Sequence, residues 1–215
     1  MSKIVVIDYG IGNVFSVCNA LRKIGEDPLL TNKSAEIAAA DRIILPGVGA
    51  FGKAVDALKS QGFDEVLKRY KETGRPFMGI CVGMQMAMSH GTEFGDHDGL
   101  GYVDGVVARI PSVTDDEKII PVPHISWGRL VATQGGEAKW NASPLGGFQS
   151  GAVSAYFVHS YHCVPEDKST ILAETEYGGH RLTAAIGHEN FIGLQFHPER
   201  SGEIGQRVLK RFMDL

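Results

Sequence analysis

The apolar positions of this chain follow two patterns, and the pattern changes near the middle. In the first half, short unbroken apolar runs alternate with stretches of helical spacing. Ile4–Ile7 is continuous and ends at Asp8-Tyr9-Gly10, which predicts a strand buried on both faces. Val14, Val17, Cys18, Leu21 and Ile24 then recur as one face of a helix, with Gly25 as its stop. Residues 42–45 predict a second strand, closed by Pro46-Gly47. Ala54, Leu58, Phe63, Val66 and Leu67 predict helical turns before Gly74-Arg75-Pro76. Residues 77–80 predict a third strand running into Cys81, and residues 82–89, free of proline, predict a helix ending before His90-Gly91. This βα alternation predicts a mostly parallel central sheet with helices on both faces.

In the second half the runs are short and lie between turns. Residues 106–110, 155–158, 171–174, 182–186 and 191–195 read as strands, which predicts antiparallel additions to the sheet. The chain ends in a helix, with Ser201 as its cap and Ile204, Val208 and Phe212 on one face.

Composition narrows the possibilities. A length of 215 residues suits a single α/β domain over residues 1–215. A net charge of −4 and a pI of about 6.1 argue against nucleic acid or an acidic membrane as partner. The Met1-Ser2-Lys3 start and the run after it are too short for a signal peptide, and no stretch approaches the ~20 apolar residues of a membrane span. The three cysteines, Cys18, Cys81 and Cys163, cannot all pair, so the chain reads as cytoplasmic with free thiols. Each is then either core filling or chemistry.

Three segments carry candidate chemistry. Gly79-Ile80-Cys81-Val82-Gly83 lies between a strand and a helix and is the thiol counterpart of a nucleophile elbow. Its glycines permit the sharp turn, and the N-terminus of the following helix favours a thiolate. Taken alone, it also suits a small hydrophobe ending a buried strand. In Gln195-Phe196-His197-Pro198-Glu199, His197 can accept the thiol proton and return it to a leaving group, while Glu199 fixes the imidazole. Together with a cysteine 116 positions earlier (197 − 81), this makes a candidate Cys81-His197-Glu199 triad. Pro46-Gly47-Val48-Gly49 ends a neighbouring strand. Its Val48–Gly49 backbone, with the amide of Val82, can supply an oxyanion hole.

Other candidates are weaker. Gly47 to Gly52 spells G-x-G-x-x-G, but no acidic residue ends the next strand as a dinucleotide site requires. His159 and His162, three apart, would face opposite sides of one strand, which argues against a metal site. Asp96-His97-Asp98 reads as a solvated loop and Cys18 as core. No metal or cofactor is expected.

These segments resemble the class I glutamine amidotransferases over essentially the whole chain. Gly79-Ile80-Cys81-Val82-Gly83-Met84-Gln85 is similar to that family's nucleophile motif, and Phe196-His197-Pro198-Glu199 to its His-x-Glu motif. Within the family, Tyr9-Gly10-Ile11-Gly12-Asn13, Leu45 through Phe51, Pro123-His124, Trp127 and Tyr156 through Tyr161 most resemble the glutaminase subunits of imidazole glycerol phosphate synthases. The resemblance implies a flavodoxin-like fold and release of ammonia from glutamine. It also implies a (β/α)8-barrel cyclase partner, joined as a heterodimer, that receives the ammonia for histidine biosynthesis. By position, Gln85, Glu93, Ser160 and Tyr161 would hold glutamine, and Asn13, Trp127, Tyr156 and Arg200 would lie near the partner. One segment departs from the pattern. Ser126 and Gly128 flank Trp127 where the family usually has glycine and asparagine. That leaves open a paralogous glutaminase serving surface-sugar (glycan) amidination. From other classes, a partner-independent Cys hydrolase and a non-catalytic binding module are the rival readings.

Overall fold

The computed structural model describes residues 3–114 and 116–215. Met1 and Ser2, at the start weighed as a signal peptide, and Asp115 lie outside the described residues. In chain order the first half comprises β1 (Ile4–Ile7), α1 (Val14–Lys23), β2 (Leu29–Thr31), α2 (Ser34–Ala38), β3 (Arg42–Gly47), α3 (Phe51–Ser60), α4 (Phe63–Glu72), β4 (Phe77–Cys81) and α5 (Val82–Gln85). There follow β5 (Met88–Gly91), β6 (His97–Asp98), β7 (Val103–Arg109), β8 (His124–Ala132), α6 (Glu137–Ala142), β9 (Val153–His159) and β10 (Tyr161–Pro165). The chain closes with β11 (Ile171–Tyr177), β12 (His180–His188), β13 (Phe191–Leu194), a 3-10 turn (Pro198–Arg200) and α7 (Gly202–Met213).

The main sheet has nine strands in the order β2-β1-β3-β4-β13-β12-β11-β8-β9. Its first five are parallel, and the other four join antiparallel. The start of that order, 2-1-3-4, is the flavodoxin-like winding, and β13 takes the fifth place. Every residue of β1, β4 and β13 is buried, so both faces of the sheet are covered there. Two helix groups provide the cover: α1 packs with α7, while α4 packs with α2 and α3. In a doubly wound sheet the ligand crevice lies at the carboxyl ends of the strands. β3 and β4 end there at Gly47 and Cys81.

Two expectations need correction. The predicted helix over residues 82–89 stops at Gln85, and Met88–Gly91 forms β5 instead. The backbone of this segment pairs with β7 and β6, so tertiary pairing overrides a locally permissible helix. Residues 106–109 form part of a strand, with Ile110 just past its end, but not in the main sheet. β7 belongs to a second, four-stranded sheet in the order β10-β7-β5-β6. The chain passes from one sheet to the other at Ser160, between β9 and β10. His159 and His162 therefore lie on different sheets, and the strand alternation used to set them apart does not apply.

Candidate active site

Cys81 ends β4 and begins the turn into α5 with φ 55° and ψ −111°. A non-glycine residue occupies such a region only under constraint, at a cost of about 1–3 kcal/mol. The constraint is crowding by backbone. A Cβ on Gly83 would overlap the carbonyl of Leu45, and one on Gly47 would lie 2.6 Å from the Gly83 nitrogen. Glycine at both positions lets the end of β3 sit directly against the elbow. The third glycine of the G-x-G-x-x-G string, Gly52, lies against the His97 ring. Close packing at Gly47 and Gly52, and a positive φ at Gly49, thus account for the string. Because α5 is only four residues long, it supplies local amides such as that of Val82 rather than the dipole of a long helix.

His197 follows β13, the parallel neighbour of β4. Its Nδ1 lies 2.7 Å from Glu199 Oε1, and both side chains are buried. Backbone contacts fix the pair. His197 N–H donates to the Tyr156 carbonyl at 2.9 Å. The Ser201 hydroxyl donates to the His197 carbonyl at 2.7 Å and accepts from the Tyr156 amide at 2.9 Å. Ser201 stands at the N-cap position of α7, as expected, but its side chain braces His197 and makes no cap bond. The other ring nitrogen, Nε2, is buried with Cys81 as its interaction partner, and His197 and Cys81 line the same cavity.

The electrostatics suit an ion pair. Burial disfavours the His197 imidazolium, but the Cys81 thiolate and the Glu199 carboxylate outweigh it and push its pKa up to about 10. Burial, with the Cys81 thiolate adding to it, raises the Tyr9 phenol and the Cys163 thiol. Burial also raises Cys18, against the pull of Arg22. Cys18 and Cys163 behave as core residues.

The cavity measures about 700 Å³. It gathers the expected oxyanion residues Val48, Gly49 and Val82, and the expected ligand residues Gln85, Glu93, Ser160 and Tyr161. Gly49 sits at φ 84°, a conformation that suits glycine. Two of the ligand residues also hold the fold. Glu93 Oε2 accepts from the Phe51 amide at 2.7 Å, satisfying the start of α3. Gln85 spends its amide nitrogen on the Tyr161 carbonyl and on Gln195 Oε1, so a ligand can engage only its amide oxygen. Asn13 and Arg200 line the same cavity. Glu199 lies behind His197 and does not line it. Trp127 and Tyr156 are cross-strand partners on β8 and β9, outside the cavity, with ring centroids 6.1 Å apart. The Arg200 guanidinium stands 6.0 Å from the Tyr156 ring. Ala50, Phe94, Pro123, Val158 and His159 also line it and have no expected role there. Gln195, two residues before His197, has no role expected from the sequence and contacts Cys81. Among the described residues no cluster of three or more His, Cys, Asp or Glu is arranged to hold a metal ion.

The profile of the family "Glutamine amidotransferase class-I" matches residues 5–215. The imidazole glycerol phosphate synthase subunit HisH 1 of Legionella pneumophila (strain Lens) is 41% identical over 215 residues, covering 100% of both chains. The subunit HisH of Zymomonas mobilis is 43% identical, covering 99% of this chain and 96% of its own. Among solved structures, PurLQS from Thermotoga maritima superposes with a TM-score of 0.74 at 20% identity, covering 100% of this chain and 99% of that one. The glutaminase domain of Trypanosoma brucei CTPS, with bound acivicin, gives a TM-score of 0.65 at 14% identity, covering 99% and 92%. These last two likenesses concern the fold, an α/β core with a mixed sheet. With the family profile spanning nearly the whole chain and full-length relatives above 40% identity, this chain belongs to the class I glutamine amidotransferases.

Proposed function

We propose that this chain is the glutamine-hydrolysing subunit of an imidazole glycerol phosphate synthase, acting through Cys81, His197 and Glu199. The observation that carries this is the meeting, at one cavity, of a strained elbow cysteine and a histidine held 2.7 Å from a buried carboxylate. The full-length relatives named as subunits of that synthase support the pathway and the need for a second subunit.

The thiolate of Cys81 attacks the side-chain carbonyl carbon of glutamine, and the developing oxyanion is met by amides of the Val48–Gly49 segment and Val82. The His197 imidazolium gives its proton to the departing nitrogen, and ammonia leaves behind a γ-glutamyl thioester. His197, now neutral, takes a proton from water. The water oxygen attacks the thioester, the carbon–sulfur bond breaks, and glutamate and the thiolate are restored. Glu199 keeps the imidazole oriented throughout. Each step uses side chains and amides of this chain. The ammonia passes to a (β/α)8-barrel cyclase bound near Asn13, Trp127, Tyr156 and Arg200. Trp127 and Ile125 on β8 are each 56% exposed, unusual for large apolar side chains on a regular strand and consistent with a covered surface.

One observation favours a second reading. A Cβ on Gly128 would lie 2.5 Å from Thr175 Oγ1 and 2.9 Å from the Phe157 ring, so asparagine does not fit there as the strand lies. The partner-facing strand thus differs from the usual pattern, which suits a paralogue delivering ammonia to a surface-sugar enzyme. The test is to assay glutamine-dependent and ammonia-dependent synthesis with the barrel cyclase. His197→Ala should lose at least a hundredfold of the glutamine-dependent rate and keep the ammonia-dependent one. Stimulation only by a surface-sugar amidating enzyme would move the chain to the second pathway. Full glutamine hydrolysis without any partner would favour an independent hydrolase.

A further inference from the structure

A chain of buried and part-buried hydrogen bonds runs from strand β8 to the sulfur of Cys81. Ser126 Oγ lies 2.9 Å from His124 Nε2, His124 Nδ1 lies 3.2 Å from His159 Nε2, and His159 Nδ1 lies 2.9 Å from the Tyr161 carbonyl. The same carbonyl accepts from Gln85 Nε2 at 2.9 Å. Gln85 Nε2 also donates to Gln195 Oε1 at 3.0 Å, and Gln195 Nε2 lies 3.7 Å from Cys81 Sγ. Gln195 and both histidines are buried.

Donor and acceptor chemistry fixes the direction of every link. A backbone carbonyl only accepts, so His159 carries its proton on Nδ1. Burial holds both rings neutral, with pKa values lowered to about 3 for His159 and about 4 for His124. The Nε2 of a neutral His159 must then accept, so His124 donates from its own Nδ1, and Ser126 donates to His124 Nε2. Likewise the Tyr161 carbonyl orients the Gln85 amide, and Gln85 turns the Gln195 oxygen toward itself. That leaves the Gln195 N–H aimed at sulfur. Turning Gln195 over would set its oxygen against the thiolate and oxygen-facing donors against each other. The short α5 provides no long-helix dipole, so this neutral donor complements the one cationic neighbour, His197.

We propose that Gln195 is a further catalytic residue, an amide donor to the Cys81 thiolate, and that Gln85, His159 and His124 are positioning residues that hold its amide in the donating orientation. The proposal rests on Cys81 being the nucleophile. The ionisable groups whose charge couples to the sulfur are His197, with Glu199 behind it, Tyr9 from the turn after β1 and Cys163 from β10, and Glu93 and Arg200 line the same cavity.

The test is the pH dependence of Cys81 alkylation by iodoacetamide in the full chain, with the modified cysteine assigned by peptide mass. Wild-type Cys81 should be alkylated at neutral pH ahead of Cys18 and Cys163, whose thiols burial holds neutral. Gln195→Met should slow it about tenfold at neutral pH and move the profile to higher pH, since a donor to a charged group is lost. Gln195→Glu should slow it further. His159→Leu should give part of the Gln195→Met effect, and His159→Asn, which keeps a donor near the Nδ1 position, should restore the profile. Folded Gln195 variants with the wild-type profile would overturn the proposal while leaving Cys81 as nucleophile. Alkylation of Cys18 or Cys163 ahead of Cys81 in the wild type would overturn the nucleophile assignment and this proposal with it. Where a variant fails to fold, the wild type still decides. The side-chain amide resonance of Gln195 must shift when Cys81 is alkylated, and an unmoved resonance would refute the contact.

Discussion

Cys81 and His197 extend from β4 and β13, strands hydrogen-bonded to each other up to the Ile80–Leu194 pair, so a rigid ladder rather than a mobile loop brings them together. Both were legible in the sequence because each chemical residue sits where a hydrophobic run stops and glycine or proline begins. Gln195 was not legible in the same way. Its role depends on Gln85 and Tyr161, which are remote in sequence, and a glutamine before the aromatic residue carries no signal of its own. His159 was weighed only as a metal ligand, because its bond to His124 crosses from one strand to another. The His197–Glu199 contact has a pH consequence. Burial lowers the imidazole pKa, and the thiolate and carboxylate raise it to a net value of about 10. His197 therefore keeps the proton needed by the leaving ammonia until the pH rises through that value. Glutamine hydrolysis should accordingly decline on an alkaline limb near pH 10. Glu199→Gln should shift that limb to lower pH and reduce the rate less than His197→Ala does. A pH–rate profile of the two variants checks both statements, and an unmoved limb in Glu199→Gln would contradict the carboxylate's part.

At the scale of elements, the parallel half of the sheet is readable in the sequence and strand β8 is not. Strands β1, β3, β4 and β13 are continuous apolar runs because helices cover both faces. β8 inverts the usual pattern. Its inward positions are His124, Ser126, Gly128, Leu130 and Ala132, while Ile125, Trp127 and Arg129 point outward. Polar and small residues inside, with tryptophan outside, do not resemble a half-buried strand, so no strand was expected there. β2, at three residues, is too short to show a period. The inversion makes sense if the outer face of β8 and β9 meets another protein. Ile125 pairs with Val158 and Trp127 with Tyr156, which makes a contiguous apolar patch. Trp127→Ala should weaken association with the partner subunit by roughly thirtyfold or more, the loss expected for a central aromatic anchor. Alkylation of Cys81 in the isolated chain should stay as it was. Titration of the two subunits by calorimetry reads the first effect, and unchanged affinity would place the partner elsewhere.

For the whole molecule, the two sheets divide the work. The nine-stranded sheet carries Cys81, the approach to His197 and the exposed face of β8 and β9, and the four-stranded sheet supplies Tyr161 and the segments that carry Glu93. The crossing between sheets at Ser160 brings Ser160 and Tyr161 into the cavity lining, with the Tyr161 carbonyl bonded to Gln85 of α5. No local pattern announced that crossing, since the run from residue 153 to residue 165 is nearly unbroken strand. The claim on which the rest depends is that Cys81 forms a covalent γ-glutamyl intermediate. It is tested most directly by treating the chain with an electrophilic glutamine analogue, digesting it, and weighing the cysteine peptides. One adduct per chain, on the peptide containing Cys81 and absent from His197→Ala under the same brief exposure, is the predicted result. An adduct on Cys18 or Cys163 with Cys81 unmodified would contradict it.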